Sequence, residues 1–229
     1  MVHAFALGTM LVSLASPTIQ ASPKSHHVRP NEPGSGNLVA YVKRGGIALR
    51  SRPNGRAVGT LGTRTVYGSP LAVPVVRRRG SWLGVVSAAM PNGRLGWIDA
   101  ASGSLSFGRV RIEVEADLSR QLLRVWANGR VVRRMRVGIG RAGSRTPTGR
   151  FSITDKLRGR DYGSYYGCCI LALSGHQTHV PRGWTGGARL AIHGGAPGAV
   201  SAGCLHAGPR DLRYLMRVVA LGTQVRIHA

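Results

Sequence analysis

The sequence predicts a mainly β protein, with a small N-terminal β-barrel followed by a β-rich domain carrying one or two short helices. Three observations lead there. Short apolar runs alternate with Gly, Pro and Asn turn signals along most of the chain. Glycine is abundant, at 33 of 229 residues. Only a stretch near the C-terminus has helical spacing. Hydrophobic residues make up 43% of the chain, enough for packed cores. The length suits two small domains.

The elements follow in order. Ala4 to Ala15 is an apolar run of signal-peptide length, too short to span a bilayer comfortably. Ala21 is a small residue that can end a cleavage site, so residues 1–21 are expected to direct export to the cell wall, periplasm or exterior. The basic residues that normally open such a segment are missing. Residues 22–37, rich in Pro, Ser, Gly and His, read as a linker. Residues 38–103 hold strand candidates at Leu38–Val42, Ile47–Ser51, Ala57–Leu61, Ala72–Val76, Trp82–Val86 and Leu95–Ile98. Strands so short and so evenly spaced argue for a small barrel, with Arg77-Arg78-Arg79 at a hairpin tip.

Residues 108–229 form the second domain. Val110–Val114 is its first strand, and Leu122–Trp126 and Val131–Val137 flank Asn128-Gly129. Asn-Gly supplies the positive φ angles of a type I′ turn, whose twist suits an antiparallel hairpin. Arg150–Thr154, Cys169–Leu173, Leu190–Ile192 and Val225–His228 are further strands, with Cys168 and Cys169 read as buried strand residues. Pro209 opens a helix whose Leu212, Leu215, Met216 and Val219 share one face.

The formal charge is +24, almost all of it from Arg, and it is spread over both halves of the chain. Such a field concentrates polyanions: nucleic acid, membrane headgroups or anionic wall polymer. Composition does not choose among them, and a GC-rich genome also favours Arg over Lys. The three cysteines, Cys168, Cys169 and Cys204, form neither a disulfide framework nor a CxxC zinc pair. His176, His179, His193 and His206 lack acidic or Cys partners at metal-ligand spacing, so no metal or cofactor is expected.

The segment with chemical content is Ile192-His193-Gly194-Gly195, followed after a short loop by Ser201-Ala202-Gly203-Cys204-Leu205-His206. A free thiol is mostly protonated at neutral pH, and a neighbouring imidazolium favours the thiolate. Gly203 before Cys204 lets successive backbone N–H groups converge on one point, as an oxyanion hole requires. The spacing alone also fits a small buried Cys and a satisfied polar His.

These residues resemble the signature of the L,D-transpeptidase (YkuD-type) catalytic domain, a His-Gly pair followed by Ser-x-Gly-Cys. The similarity extends over residues 109–229. It takes in Asp117-Leu118-Ser119, Gly138-x-Gly140, Thr146-Pro147-Thr148-Gly149-Arg150-Phe151 and Leu173-Ser174-Gly175. The resemblance implies Cys204 as nucleophile and His193 as general base. It implies the Gly194 carbonyl as the group orienting the imidazole, Gly203 and Cys204 as oxyanion donors, and Ser201 as a brace. His206 stands where the family usually has Arg, and is the candidate substrate contact. His176 and Trp184 are candidate cleft walls.

Leu49-Arg50-Ser51-Arg52-Pro53, Val58-Gly59-Thr60-Leu61, Gly80-Ser81-Trp82 and Gly96-Trp97-Ile98 resemble a bacterial SH3-like domain. That resemblance implies wall targeting rather than chemistry.

The implied activity is 3→3 cross-linking of peptidoglycan stem peptides through a Cys204 thioester, with carbapenem-type compounds as inhibitors and anionic wall polymers as further partners. Two alternatives stand beside it. One is a wall Cys endopeptidase or L,D-carboxypeptidase; in the usual wall endopeptidases Cys precedes His, the reverse of the order here. The other is a basic binder of wall polymer or nucleic acid without catalysis. For a specific nucleic-acid partner the chain lacks interleaved aromatics and any nucleic-acid motif.

Overall fold

The computed structural model describes Met1 and residues 36–43, 45–184 and 187–229. Residues 2–35 lie outside it, so the export segment and nearly all of the linker fall outside the described residues. None of the described helices is long and apolar enough to cross a membrane.

The described strands form two sheets. The first contains β1 (Asn37–Val42), β2 (Ile47–Arg50), β3 (Ala57–Leu61), β4 (Ala72–Arg79), β5 (Trp82–Val85), β6 (Gly96–Asp99) and β7 (Leu105–Val110). Its order is β3-β2-β6-β5-β4-β1-β7, with antiparallel neighbours. Alternation along the strands buries Ala40, Val42, Ile47, Leu49, Val73, Leu83, Val85 and Ile98 in one apolar cluster.

Three expectations change here. Arg77–Arg79 are not a hairpin tip. They continue β4, with Arg79 opposite Trp82, and Gly80 and Ser81 make the turn. The Arg79 guanidinium lies 5.6 Å from the Trp97 ring, so its stem covers apolar surface while its charge stays exposed. Leu105–Val110 pairs with β1, so the first sheet runs past the expected end at residue 103. The strand expected at Val110–Val114 divides at Arg111 between the two sheets.

The second sheet contains β8 (Ile112–Asp117), β9 (Leu122–Ala127), β10 (Arg130–Arg136), β11 (Gly138–Gly140), β12 (Gly149–Arg158), β13 (Cys169–His176), β14 (Arg189–His193), β15 (Gly198–Ser201), β16 (Leu205–His206) and β17 (Gln224–His228). Its order is β10-β9-β8-β17-β12-β13-β14-β16-β11-β15. Asn128 and Gly129 have φ of 50° and 76°, as a type I′ turn demands. The helix α1 (Pro209–Val218) has Pro at its start, where the missing N–H costs nothing. It buries Leu212 and Leu215 among Phe151, Ile153, Leu171, Leu173, Leu190, Ile192 and Leu205. The fold is therefore mainly β with this α-helix and short 3₁₀ turns.

Cys168 and Cys169 are joined by a disulfide. Cys169 starts β13 and is buried, but Cys168 precedes the strand and is exposed, so the expectation of two buried strand residues fails for Cys168. The turn at Gly167, with φ of 68°, delays the strand by one residue.

The sheets touch through Val39, Ala72 and Val110, packed with Leu221. Polar contacts reinforce this. Asn37 Nδ2 donates to Glu113 at 3.0 Å, and the Thr65 hydroxyl bonds the buried Asp155 carboxylate. Asn92 makes a paired bond with the His176 backbone, donating to its carbonyl at 2.6 Å and accepting from its N–H at 2.9 Å.

Candidate active site

Strands β14 and β16 run parallel, with His193 beside His206, and the loop between β15 and β16 carries Cys204. His193 ends β14 and is fully buried. Its Nδ1 lies 2.7 Å from the Gly194 carbonyl oxygen. A carbonyl only accepts, so Nδ1 carries the proton and the neutral ring keeps Nε2 free as a base. Tyr165 and Tyr166 pack on this ring at centroid distances of 5.4 and 4.9 Å.

Cys204 and His193 open onto one cleft. Its walls include Tyr67, Tyr162, Tyr165, Tyr166, Trp184 and Arg189. No carboxylate of the described residues lines it. Burial pushes the His193 imidazole down to about 4, outweighing the Gly194 hydrogen bond that raises it. Burial likewise pushes the Cys204 thiol up to about 11, although a hydrogen bond with the Ala191 backbone lowers it. The resting pair is therefore neutral, not the thiolate and imidazolium that the sequence suggested.

The nucleophile loop is held from three sides. Ser201 Oγ donates to the Cys204 carbonyl at 2.6 Å and accepts from the Gly203 N–H at 3.0 Å. That bond takes up the Gly203 N–H, so the expected oxyanion donor at Gly203 is already occupied. The Cys204 N–H has no acceptor among the described residues and remains for that task. The third support is Gln177, to which the sequence reading gave no role. Its buried side-chain amide contacts the Ser144, Arg145 and Ala202 carbonyls at 3.2, 3.1 and 2.8 Å. Gly203 has φ of 121°, and a Cβ there would sit 2.0 Å from Gln177 Nε2, so only glycine fits.

The other candidates separate. Trp184 lines the cleft. His176 does not; its backbone is clamped by Asn92 at the end of β13. His206 does not either, and is only 4% exposed. Its Nδ1 donates to the Ala196 carbonyl at 3.2 Å, and Nε2 faces the Tyr165 hydroxyl at 3.4 Å. As the candidate substrate contact it was expected to reach the cleft, but it lies in the short strand β16, and its ring packs 4.8 Å from the His193 ring instead. Among the described residues there is no metal-binding group of three or more His, Cys, Asp or Glu side chains.

A family model for the L,D-transpeptidase catalytic domain, YkuD, matches residues 111–227. The chain belongs to this family. The match runs from the residue before β8 to within β17 and contains β14, the loop that carries Cys204 and β16. No curated protein matches the sequence. Among solved structures, L,D-transpeptidase 1 of Mycobacterium tuberculosis is 20% identical, with a TM-score of 0.39 over 59% of this chain and 77% of that one. An L,D-transpeptidase of Stackebrandtia nassauensis is 21% identical, with a TM-score of 0.38; the match covers 53% of this chain and 57% of that one. L,D-transpeptidase 3 of M. tuberculosis, in complex with a faropenem-derived adduct, is 14% identical, with a TM-score of 0.43 over 59% and 73%. In this L,D-transpeptidase domain the first sheet is part of the site, because Tyr67, from the loop between β3 and β4, forms one wall.

Proposed function

We propose that the protein is an exported L,D-transpeptidase that forms 3→3 cross-links between peptidoglycan stem peptides. The observation that carries this reading is that His193 and Cys204 line one cleft, with His193 Nδ1 fixed by the Gly194 carbonyl and Nε2 left without a hydrogen-bond partner among the described residues. The fixed tautomer makes His193 a ready base, and the absence of cleft carboxylates suits an anionic peptide.

The reaction follows from these groups. Cys204 Sγ attacks the carbonyl of the third stem residue while His193 Nε2 takes the thiol proton. The Cys204 N–H donates to the oxygen that becomes negative. Collapse breaks the amide bond, and the imidazolium returns the proton to the departing amine of the terminal D-alanine. A thioester remains on Cys204. The side-chain amine of another stem attacks it and gives its proton to His193, which passes it to the departing Cys204 sulfur and regenerates the thiol. Water in place of the amine yields a carboxypeptidase product. The first sheet, with its SH3-like motifs, would hold the enzyme to the wall, aided by the net charge of +24 on anionic polymer.

Intact-mass analysis with tetrapeptide muropeptides tests the reading. The expected result is an acyl adduct on Cys204, resolved to a cross-linked dimer when an amine acceptor is added. Cys204→Ala should form neither, and His193→Ala should acylate at least about a thousandfold more slowly, because nucleophile and base act as one unit. A wild-type protein that never acylates overturns it.

A further inference from the structure

We propose that Arg189 is the anchor for a carboxylate of the donor peptide. The inference rests on the transpeptidase reading of the same cleft. Arg189, Leu190, Ala191 and His193 of β14 all line the cleft. Ala191 is the residue whose backbone meets the Cys204 thiol. At roughly 3.3 Å per residue, Arg189 begins about 7 Å further along the same wall. That is within side-chain reach of a carboxylate adjoining the scissile amide.

The state of this guanidinium points the same way. Nε and Nη2 donate to the Leu173 carbonyl at 2.9 and 2.6 Å, and Nη2 also donates to Thr154 Oγ1 at 2.9 Å. These neutral acceptors fix its plane without offsetting its charge. Nη1 has no partner among the described residues, and none of their carboxylates lies within ion-pair distance. Asp155 attracts it only through space, being bonded to Thr65. Partly removing a cation from water with no carboxylate in direct contact is unfavourable, and a bound carboxylate relieves that cost. Among the described residues, Arg189 is also the one Lys or Arg that lines the cleft. His206 cannot serve, since both of its ring nitrogens are directed to other partners inside the protein.

The test compares a tetrapeptide donor bearing a free terminal carboxylate with the same peptide as its terminal carboxamide. Binding is measured by calorimetry on Cys204→Ala protein, with and without Arg189→Gln, so the result does not depend on turnover. Cys204 acylation is followed in parallel on wild type, Arg189→Gln and Arg189→Lys. The expected result is an Arg189→Gln loss of about ten- to a hundredfold in affinity for the free acid. The carboxamide should bind the Arg and Gln proteins alike, and Lys should restore part of the loss in the KM of acylation. An acid-over-amide preference that survives Arg189→Gln overturns the proposal. So does equal binding of acid and amide to the protein with Arg189 intact, which decides the matter even if the Gln variant does not fold. Failure of the transpeptidase reading looks different: no acylation by either donor, whatever the binding result.

Discussion

At the cleft floor, burial holds His193 neutral down to about pH 4 and Cys204 protonated up to about pH 11. The working form therefore persists across the whole range between them. The base is lost only as pH falls through about 4, and a free thiolate accumulates only as pH rises through about 11. We predict that kcat/KM for Cys204 acylation is flat from about pH 5.5 to 9. A pre-formed thiolate and imidazolium would instead give a bell whose limbs fall inside that range. A stopped-flow profile with an inflection near 6.5 would sink the neutral-pair account. The same neutrality predicts slow alkylation by iodoacetamide at pH 7 relative to a free cysteine, because the thiolate is the reactive form.

Among the loops, Gln177 connects what the chain keeps far apart. It joins the turn after β11, the nucleophile loop and, through its Oε1, the His179 N–H at 3.0 Å. Replacing it with Ala leaves buried carbonyls unsatisfied and frees the Cys204 loop. We predict that Gln177→Ala lowers unfolding free energy by about 1–3 kcal/mol. Acylation of the folded protein should slow at least about tenfold, since misplacement near 1 Å is enough for that. Urea unfolding and single-turnover acylation check the two effects separately. Lost stability with an unchanged acylation rate would reduce Gln177 to a structural role.

Over the whole molecule, the two sheets share a site as well as an interface. The sequence reading assigned residues 38–103 to targeting alone, yet the loop holding Tyr67 reaches the cleft. Thr65 organises that loop. Its hydroxyl accepts from the Tyr67 and Ser69 N–H groups, each at 3.2 Å, and bonds buried Asp155 of β12. Tyr67 then meets Tyr162 edge-on at 6.1 Å. An aromatic contact of this kind contributes about 0.5–1.5 kcal/mol, or roughly two- to twelvefold in affinity. We predict that Tyr67→Ala raises the donor KM by about that factor and leaves kcat nearly unchanged. Steady-state kinetics on soluble muropeptides, where wall retention plays no part, give the answer. An unchanged KM would return the first sheet to a purely targeting role.

The sequence by itself determined what is local. Apolar alternation located most of the strands, Asn128-Gly129 its hairpin turn, and Pro209 with Leu212 and Leu215 the helix, because each depends on residues a few positions apart. The motif around His193 and Cys204 was legible for the same reason. The tertiary structure decided what depends on burial and on pairing between distant segments. Strand β16 begins at Leu205 because it adds in parallel to β14, and that turns His206 inward. Gln177, Arg189 and Tyr67 come from three separate elements and carry no local signal; they meet only once the sheets close around the cleft. The neutral His193 and Cys204 are likewise products of desolvation. How much water a side chain loses is set by everything packed around it, and no spacing along the chain records that.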